Sequence, residues 1–220
     1  MKITFEQIKS NEDIKTYIRM ADESLKALGF TEHSFAHVGK VSDDAAYILS
    51  TLGYPERTVE LARIAGYLHD IGNLVNRVDH SQSGAVMAFR ILDNLGMPAD
   101  EIALIVTAIG NHDEGTGVAV NPVAAALIIA DKCDVRRTRV RNSDVSSFDI
   151  HDRVNYSAEK SSLIISPDNK RAILEIELDS SISSVMEYFS IFIGRMQMSK
   201  RAAEALGLSF SLVINGQELI

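Results

Sequence analysis

Apolar positions recur every three to four residues from Thr4 to about Arg141, the period of amphipathic helices. Thr4-Phe5-Glu6-Gln7 has capping-box spacing, and the polar stretch Ser10 to Asp13 opens a second helix that ends at Gly29. From about Glu32 to Leu52, the residues His37, Val41, Ala45, Ile48 and Leu52 share one stripe, which stops at Gly53. Pro55 suits a first helical turn, and the amphipathic run from Val59 to Leu68 leads to Gly72. Further helices are expected from His80 to Leu95, from Pro98 to about Asn111 and from Pro122 to about Arg137. Gly96 and Gly115-Thr116-Gly117 mark the breaks.

After Arg141 the pattern changes. Asn142 to Ser157 is polar without a period, which predicts an extended loop with room for one helical turn. Leu163-Ile164-Ile165 and Ala172 to Leu178 then flank Ser166-Pro167-Asp168-Asn169-Lys170, with the period-two alternation of a hairpin. Ser181 to Leu206 reads as a long helix ending at Gly207, Leu208 to Ile214 as a closing strand, and Asn215-Gly216 as a turn. The fold class is therefore mainly α, a helical bundle with a smaller C-terminal α+β part. The expected organisation is a helical domain over 1–141, a linker loop over 142–160 and the α+β part over 161–220.

Composition narrows the function classes. No apolar run approaches bilayer-spanning length, and the N-terminal residues lack the layout of a signal peptide. Cys133 is the only cysteine, so no intrachain disulfide forms, and the expected compartment is the cytoplasm. A formal charge of −8 argues against a nucleic-acid coat or an anionic-membrane binder. Arg136, Arg137, Arg139 and Arg141 are a local exception. Composition alone favours a solvated helix end that complements the macrodipole; the sharper reading is a phosphate patch, since guanidinium matches phosphate as a planar fork.

The candidate chemistry starts at His69-Asp70, an imidazole and a carboxylate set at the end of the apolar run Ile64-Ala65-Gly66-Tyr67-Leu68. A carboxylate buried there is costly unless it is paired or bound to a cation. The plain alternative is a satisfied core histidine beside a capping aspartate. His37 opens the inward stripe of the preceding helix, and Asp131 follows seven apolar residues, so both complete an O/N ligand set with His69 and Asp70. His80 begins one helix and His112 ends another; with Asp70 as a bridge they form a second site, at the separation of about 3.5–4 Å typical of two-metal centres. His33, one turn before His37, is the weaker ligand candidate because only His37 has the inward partner Val41. His151, between Asp149 and Asp152, reads better as an exposed loop histidine than as a pocket residue. Cys133 reads as a buried apolar filler.

His37-Val38-Gly39-Lys40-Val41, Gly66-Tyr67-Leu68-His69-Asp70-Ile71-Gly72 and Ala130-Asp131 together resemble the HD superfamily of metal-dependent phosphohydrolases. The family's order of His, His-Asp and Asp falls on His37, His69-Asp70 and Asp131. His80-Ser81-Gln82-Ser83-Gly84-Ala85 and Asn111-His112-Asp113-Glu114 resemble the additional histidine segments of two-metal members, such as HD-GYP phosphodiesterases and the HD domain of ribonuclease Y. The likeness runs from about Glu32 to Cys133. Three departures stand out. Gly53-Tyr54-Pro55 precedes the His-Asp pair and reads as a plain turn. Asn73 stands where relatives often carry lysine. Asn111-His112 replaces a frequent His-His, which argues against a third metal unless Asp113 or Glu114 substitutes.

The resemblance implies an HD-type bundle that holds one or two divalent transition-metal ions, manganese, iron, cobalt or zinc. The implied reaction is hydrolysis of a small phosphoester, such as a nucleotide, by metal-activated water. The expected metal ligands are His37, His69, Asp70, His80, His112 and Asp131, with Asp70 and His69 closest to the chemistry and Lys132, Arg136 and Arg137 as substrate contacts. A membrane or a long nucleic acid is not an expected partner. A di-iron HD-type oxygenase and a metal-binding regulatory module without turnover are the alternatives. The C-terminal part stays open as a lid, a homodimer surface or a partner-binding module.

Overall fold

The capping residues near the N-terminus set the first two helices of the chain, described over residues 2–220 in a computed structural model. Thr4 and Gln7 form a reciprocal capping box at the start of α1 (Phe5–Ser10), and the Asn11 side chain caps α2 (Glu12–Ala27). Helix α3 (Phe35–Thr51) starts at the cap Ser34, so His33 lies outside it and is not a helical turn before His37, as the sequence pattern suggests. Then follow α4 (Glu56–Leu68), a 3-10 turn (Ile71–Leu74), α5 (His80–Asn94) and α6 (Ala99–Gly110). Helix α7 (Pro122–Lys132) is buried on all sides from Val123 to Ala130 and packs against α3, α4 and α6, which makes it the axis of the bundle.

Helix α7 stops at Lys132, five residues before the end predicted from sequence. Arg136 already has extended backbone, and the turn between them sends the Asp134 side chain into the core. The segment expected as an extended loop holds a 3-10 turn (Val145–Ser147) and α8 (Ile150–Ser157), capped by Asp149. Only Val154, Asn155 and Ser157 of α8 are buried, too few apolar positions to show a period.

The C-terminal sheet has the order β1-β2-β3-β4. Strand β1 (Ala158–Ile165) and β2 (Arg171–Leu178) form the expected antiparallel hairpin. Helix α9 (Val185–Ala205) then crosses over, so β3 (Ser209–Ile214) runs parallel to β2. Asn215 and Gly216, both at positive φ, turn the chain into β4 (Gln217–Glu218). Helix α9 also packs on α7, and one continuous apolar core joins Ile129 and Cys133 to Tyr188, Phe192, Leu174 and Leu212. No helix among the described residues is long and apolar enough to cross a membrane.

Gly72 shows how tightly the histidine-bearing ends meet. A Cβ at this position would overlap the His80 carbonyl oxygen and the Gly84 amide nitrogen, both backbone atoms that cannot swing aside. Gly72→Ala is expected to destabilise the fold by about 3 kcal/mol, the upper range for overpacking. Urea unfolding of the metal-free protein measures it, and an unchanged midpoint would refute the constraint.

Candidate metal centre

Five helix ends converge on one buried point. His37 comes from the first turn of α3, and His69 and Asp70 follow the last turn of α4. His80 opens α5 just after Asp79, whose left-handed backbone costs about 1 kcal/mol in a non-glycine residue and aims the helix start. His112 follows α6, and Asp131 lies in the last turn of α7. The four histidines are 0–3% exposed.

The hydrogen bonds of the imidazoles determine what their other nitrogens can do. His37 Nδ1 lies 2.7 Å from Asp134 Oδ2, His69 Nδ1 2.8 Å from the Gly66 carbonyl, His80 Nδ1 3.1 Å from the Arg77 carbonyl and His112 Nδ1 2.6 Å from the Ile109 carbonyl. Carbonyl and carboxylate oxygens only accept, so each Nδ1 carries the proton and donates. Each Nε2 is left as a bare lone pair turned toward the centre. This is the arrangement in which an outer hydrogen bond orients a metal-ligating imidazole.

The two carboxylates divide the histidines into pairs. Asp70 Oδ2 is 3.5 Å from His37 Nε2 and 3.2 Å from His69 Nε2, and Asp131 Oδ1 is 3.4 and 3.7 Å from the same two nitrogens. Asp70 Oδ1 is 3.5 Å from His80 Nε2 and 3.9 Å from His112 Nε2. His80 Nε2 and His112 Nε2 are themselves 3.1 Å apart. His37 Nε2 and His69 Nε2 are buried without any hydrogen-bond partner. Lone pairs and anionic oxygens this close repel unless cations lie between them, and His37-His69-Asp70 and Asp70-His80-His112 each have ligand atoms close enough to share one ion. The donor set therefore fits divalent transition metals, for which mixed imidazole and carboxylate ligation is suited.

The electrostatics point the same way. Burial opposes protonation of His69, yet the Asp70 and Asp131 carboxylates outweigh it and raise its pKa to about 10. Burial pushes Asp70 and Asp131 upward, but the histidines, and Lys132 beside Asp131, hold both well below the usual carboxylate range. His112 is pushed down to about 3 by burial, then by the charges of His69 and Lys132. The field between the carboxylates calls for positive charge, which protons or metal ions supply.

Asp134 and the bonding of Asn73 to Asp70 escape sequence reading, while Lys132 pairs with the centre's carboxylate Asp131 and with Glu114. Asp134, 1% exposed, holds His37 and also accepts from Arg136 at 2.5 and 2.9 Å. Asn73 donates from Nδ2 to the Asp70 carbonyl and to Asp70 Oδ1, both at 2.9 Å. Lys132 is buried, with Nζ 2.8 Å from Asp131 Oδ2 and 3.3 Å from Glu114, which in turn lies 2.8 Å from Arg195 Nε of α9. Glu114 is thus an ion-pair partner and not a substitute ligand. His33 is half-buried, with its Nδ1 on the Thr31 carbonyl, and stands outside the ligand set.

The substrate contacts expected at Arg136 and Arg137 are corrected by the early end of α7. Arg136 is bonded to Asp134, while Arg137 donates to the Tyr156 carbonyl and stacks 4.6 Å from the Tyr156 ring. A cavity of about 380 Å³ next to the centre is instead walled by Arg77, Arg139 and Arg195. Arg139 is 5% exposed and is therefore not part of the solvated helix end that composition favours. His151 is exposed, but on α8 and along this cavity wall.

His80→Ala and His112→Ala should each lower the bound-metal count by one ion while the ion at His37, His69 and Asp131 stays. Metal analysis by mass spectrometry checks this, and wild-type stoichiometry in both variants would show that they serve no separate site.

Residues 34–136, which include all six ligand candidates and Asp134, match the family model of the HD domain. An uncharacterized protein of Methanocaldococcus jannaschii is 26% identical over 174 residues, covering 68% of this chain and 66% of its own length. The crystal structure of a protein described as a predicted HD superfamily hydrolase, from an uncultured Thermotogales bacterium, is 27% identical. That match covers 56% of this chain and 67% of the other, with a TM-score of 0.44.

Proposed function

Residues 34–136 place this chain among the HD-domain proteins, and on that premise we propose that it is a metal-dependent phosphohydrolase of a small phosphoester, a nucleotide being the best candidate. The observation that carries the reading is the convergence of four acceptor-only imidazole nitrogens on Asp70 and Asp131. Ions bound there would supply an acidified water as nucleophile and neutralise charge on the phosphoryl oxygens. Both oxygens of Asp70 face imidazole nitrogens, and Oδ1 also accepts from Asn73, so Asp70 acts as a ligand spanning both halves of the centre. Asp134 and the Gly66, Arg77 and Ile109 carbonyls hold the rings in place.

The adjacent cavity suits a small molecule in volume, and its guanidiniums suit phosphate. Phe30 on the same wall is 41% exposed and offers an apolar face to a nucleobase. That cationic wall is also what favours phosphoester hydrolysis over di-iron oxygenation, for which the ligand set alone would serve. Metal analysis combined with a screen over mononucleotides, dinucleotides and simple phosphoesters tests the reading. Phosphate release that depends on the bound metal is the expected result. Oxygen uptake by the iron-loaded protein, with no phosphate released from any ester, would replace hydrolysis by oxygenation.

A further inference from the structure

We propose that the cavity beside the metal centre binds a second phosphate of the substrate, so that the preferred ester carries a phosphate beyond the one hydrolysed. The inference rests on the phosphohydrolase reading for which phosphate is cleaved, but its binding site stands on other residues. Three guanidiniums line the cavity in a chain whose acidic residues outnumber its basic ones by 30 to 22. They come from distant parts of the chain: Arg77 before α5, Arg139 after α7 and Arg195 on α9.

Their donors are incompletely used. Arg77 has no carboxylate within 4 Å among the described residues, and its Nη1 makes only 3.3 Å contacts to Asn73 Oδ1 and His80 Nε2. Arg139 donates from Nε and Nη1 to the carbonyls of Glu32 and Asp134 at 3.0 and 2.9 Å, while its nearest carboxylate oxygen is 3.8 Å away. Arg195 Nε lies 2.8 Å from Glu114, and no hydrogen bond from Arg195 to a residue of the cavity wall is formed among the described residues. The cavity also has carboxylates on its wall, but they are turned to the backbone and to an amide. Asp149 caps α8 by accepting from the Asp152 amide, and Asp152 accepts from Asn142 at 3.3 Å. Neither forms an ion pair with the three arginines.

Arg77 has no close counter-charge, Arg139 meets Asp134 only at 3.8 Å and Arg195 shares Glu114 with Lys132, so positive charge at the cavity wall is incompletely balanced and favours the entry of an anion. Guanidinium forks match phosphate oxygens, and charge-assisted bonds of this kind are the strong ones. The scissile phosphate already has the metal ligand set to meet it. A second phosphate on the same small molecule would use the three guanidiniums. Arg195 of α9 in the C-terminal part and the residues of α8 in the segment before it then serve as the specificity wall of the site.

The test uses the full-length chain. Without added metal, calorimetry with inorganic phosphate should show binding that Arg77→Gln and Arg195→Gln each weaken about tenfold, the loss expected for a charge-assisted hydrogen bond. With metal, a nucleoside bisphosphate should have a KM at least about tenfold below that of the matching monophosphate. Arg195→Gln should collapse that ratio, and Arg195→Lys, which keeps a cation beside Glu114, should restore part of it. Phosphate binding insensitive to both glutamine variants would overturn the proposal, as would equal KM values for the two esters. If no ester is hydrolysed but phosphate binding still depends on Arg77 and Arg195, the hydrolase reading fails while the anion site stands.

Discussion

Asp70→Ala is expected to remove bound metal and to lower kcat/KM on any phosphoester substrate by at least about a thousandfold, some 4 kcal/mol of transition-state stabilisation. Asp70 is the one carboxylate whose two oxygens face both histidine pairs, Oδ2 toward His37 and His69 and Oδ1 toward His80 and His112. Its loss therefore disables both halves of the centre together. The fold should persist, because once the carboxylate is gone the imidazoles that faced it can lose their protons, which leaves no charge unpaired. Asn73 loses one acceptor but keeps the Asp70 carbonyl. Circular dichroism, metal analysis and steady-state kinetics on the same preparation decide it. A variant with wild-type metal content and activity would sink the assignment of the centre.

Asp134→Ala should have the largest effect on stability, about 3–5 kcal/mol, the usual cost of breaking a buried ion pair from one side. The carboxylate is 1% exposed and serves His37, Arg136 and Arg139 together. Without it, the His37 imidazole loses its orienting acceptor, and metal affinity should fall about 10–100-fold. Asp134→Asn, which keeps an acceptor for His37, should lose less. Urea midpoints and metal titrations of the two variants measure this, and a stability change below about 0.5 kcal/mol in Asp134→Ala would contradict the packing described.

The same group gives the direction of a pH effect. Burial pushes the Asp134 carboxyl up, but hydrogen bonds from His37 and Arg136 and the charge of Arg139 hold it well below the usual range. A depressed folded pKa lends stability that is fully present above the ordinary carboxyl value of about 4 and is lost as the pH falls through the folded value. Acid unfolding should therefore begin below about pH 4 in the wild type, and this part of its pH dependence should be missing in Asp134→Asn.

The helical bundle could be read from the chain because apolar periodicity and capping residues are local. Thr4 with Gln7, the stripe from His37 to Leu52 and the run Ala124–Ala130 each state their own conformation and buried face. The ligand candidates were visible for a related reason: His69-Asp70 and Asp131 are polar groups at the ends of apolar runs, where burial demands a partner. α8 was not legible, since it buries one side through only Val154, Asn155 and Ser157.

What the sequence by itself determined is which segments are helical, which faces turn inward and which polar residues would need a counter-charge once buried. Only the tertiary structure decided which counter-charge each one meets. Arg136 and Arg137 looked like cavity residues on a helix extended past Lys132, yet α7 ends there and the chain turns, so Arg139 reaches the cavity while Arg136 bonds Asp134. The parallel pairing of β2 with β3, and the arrival of Arg195 beside Glu114, likewise depend on how α9 packs on α7. Period and capping are properties of neighbouring residues, whereas the partner of a buried charge is set by helix ends and crossovers that bring remote segments together.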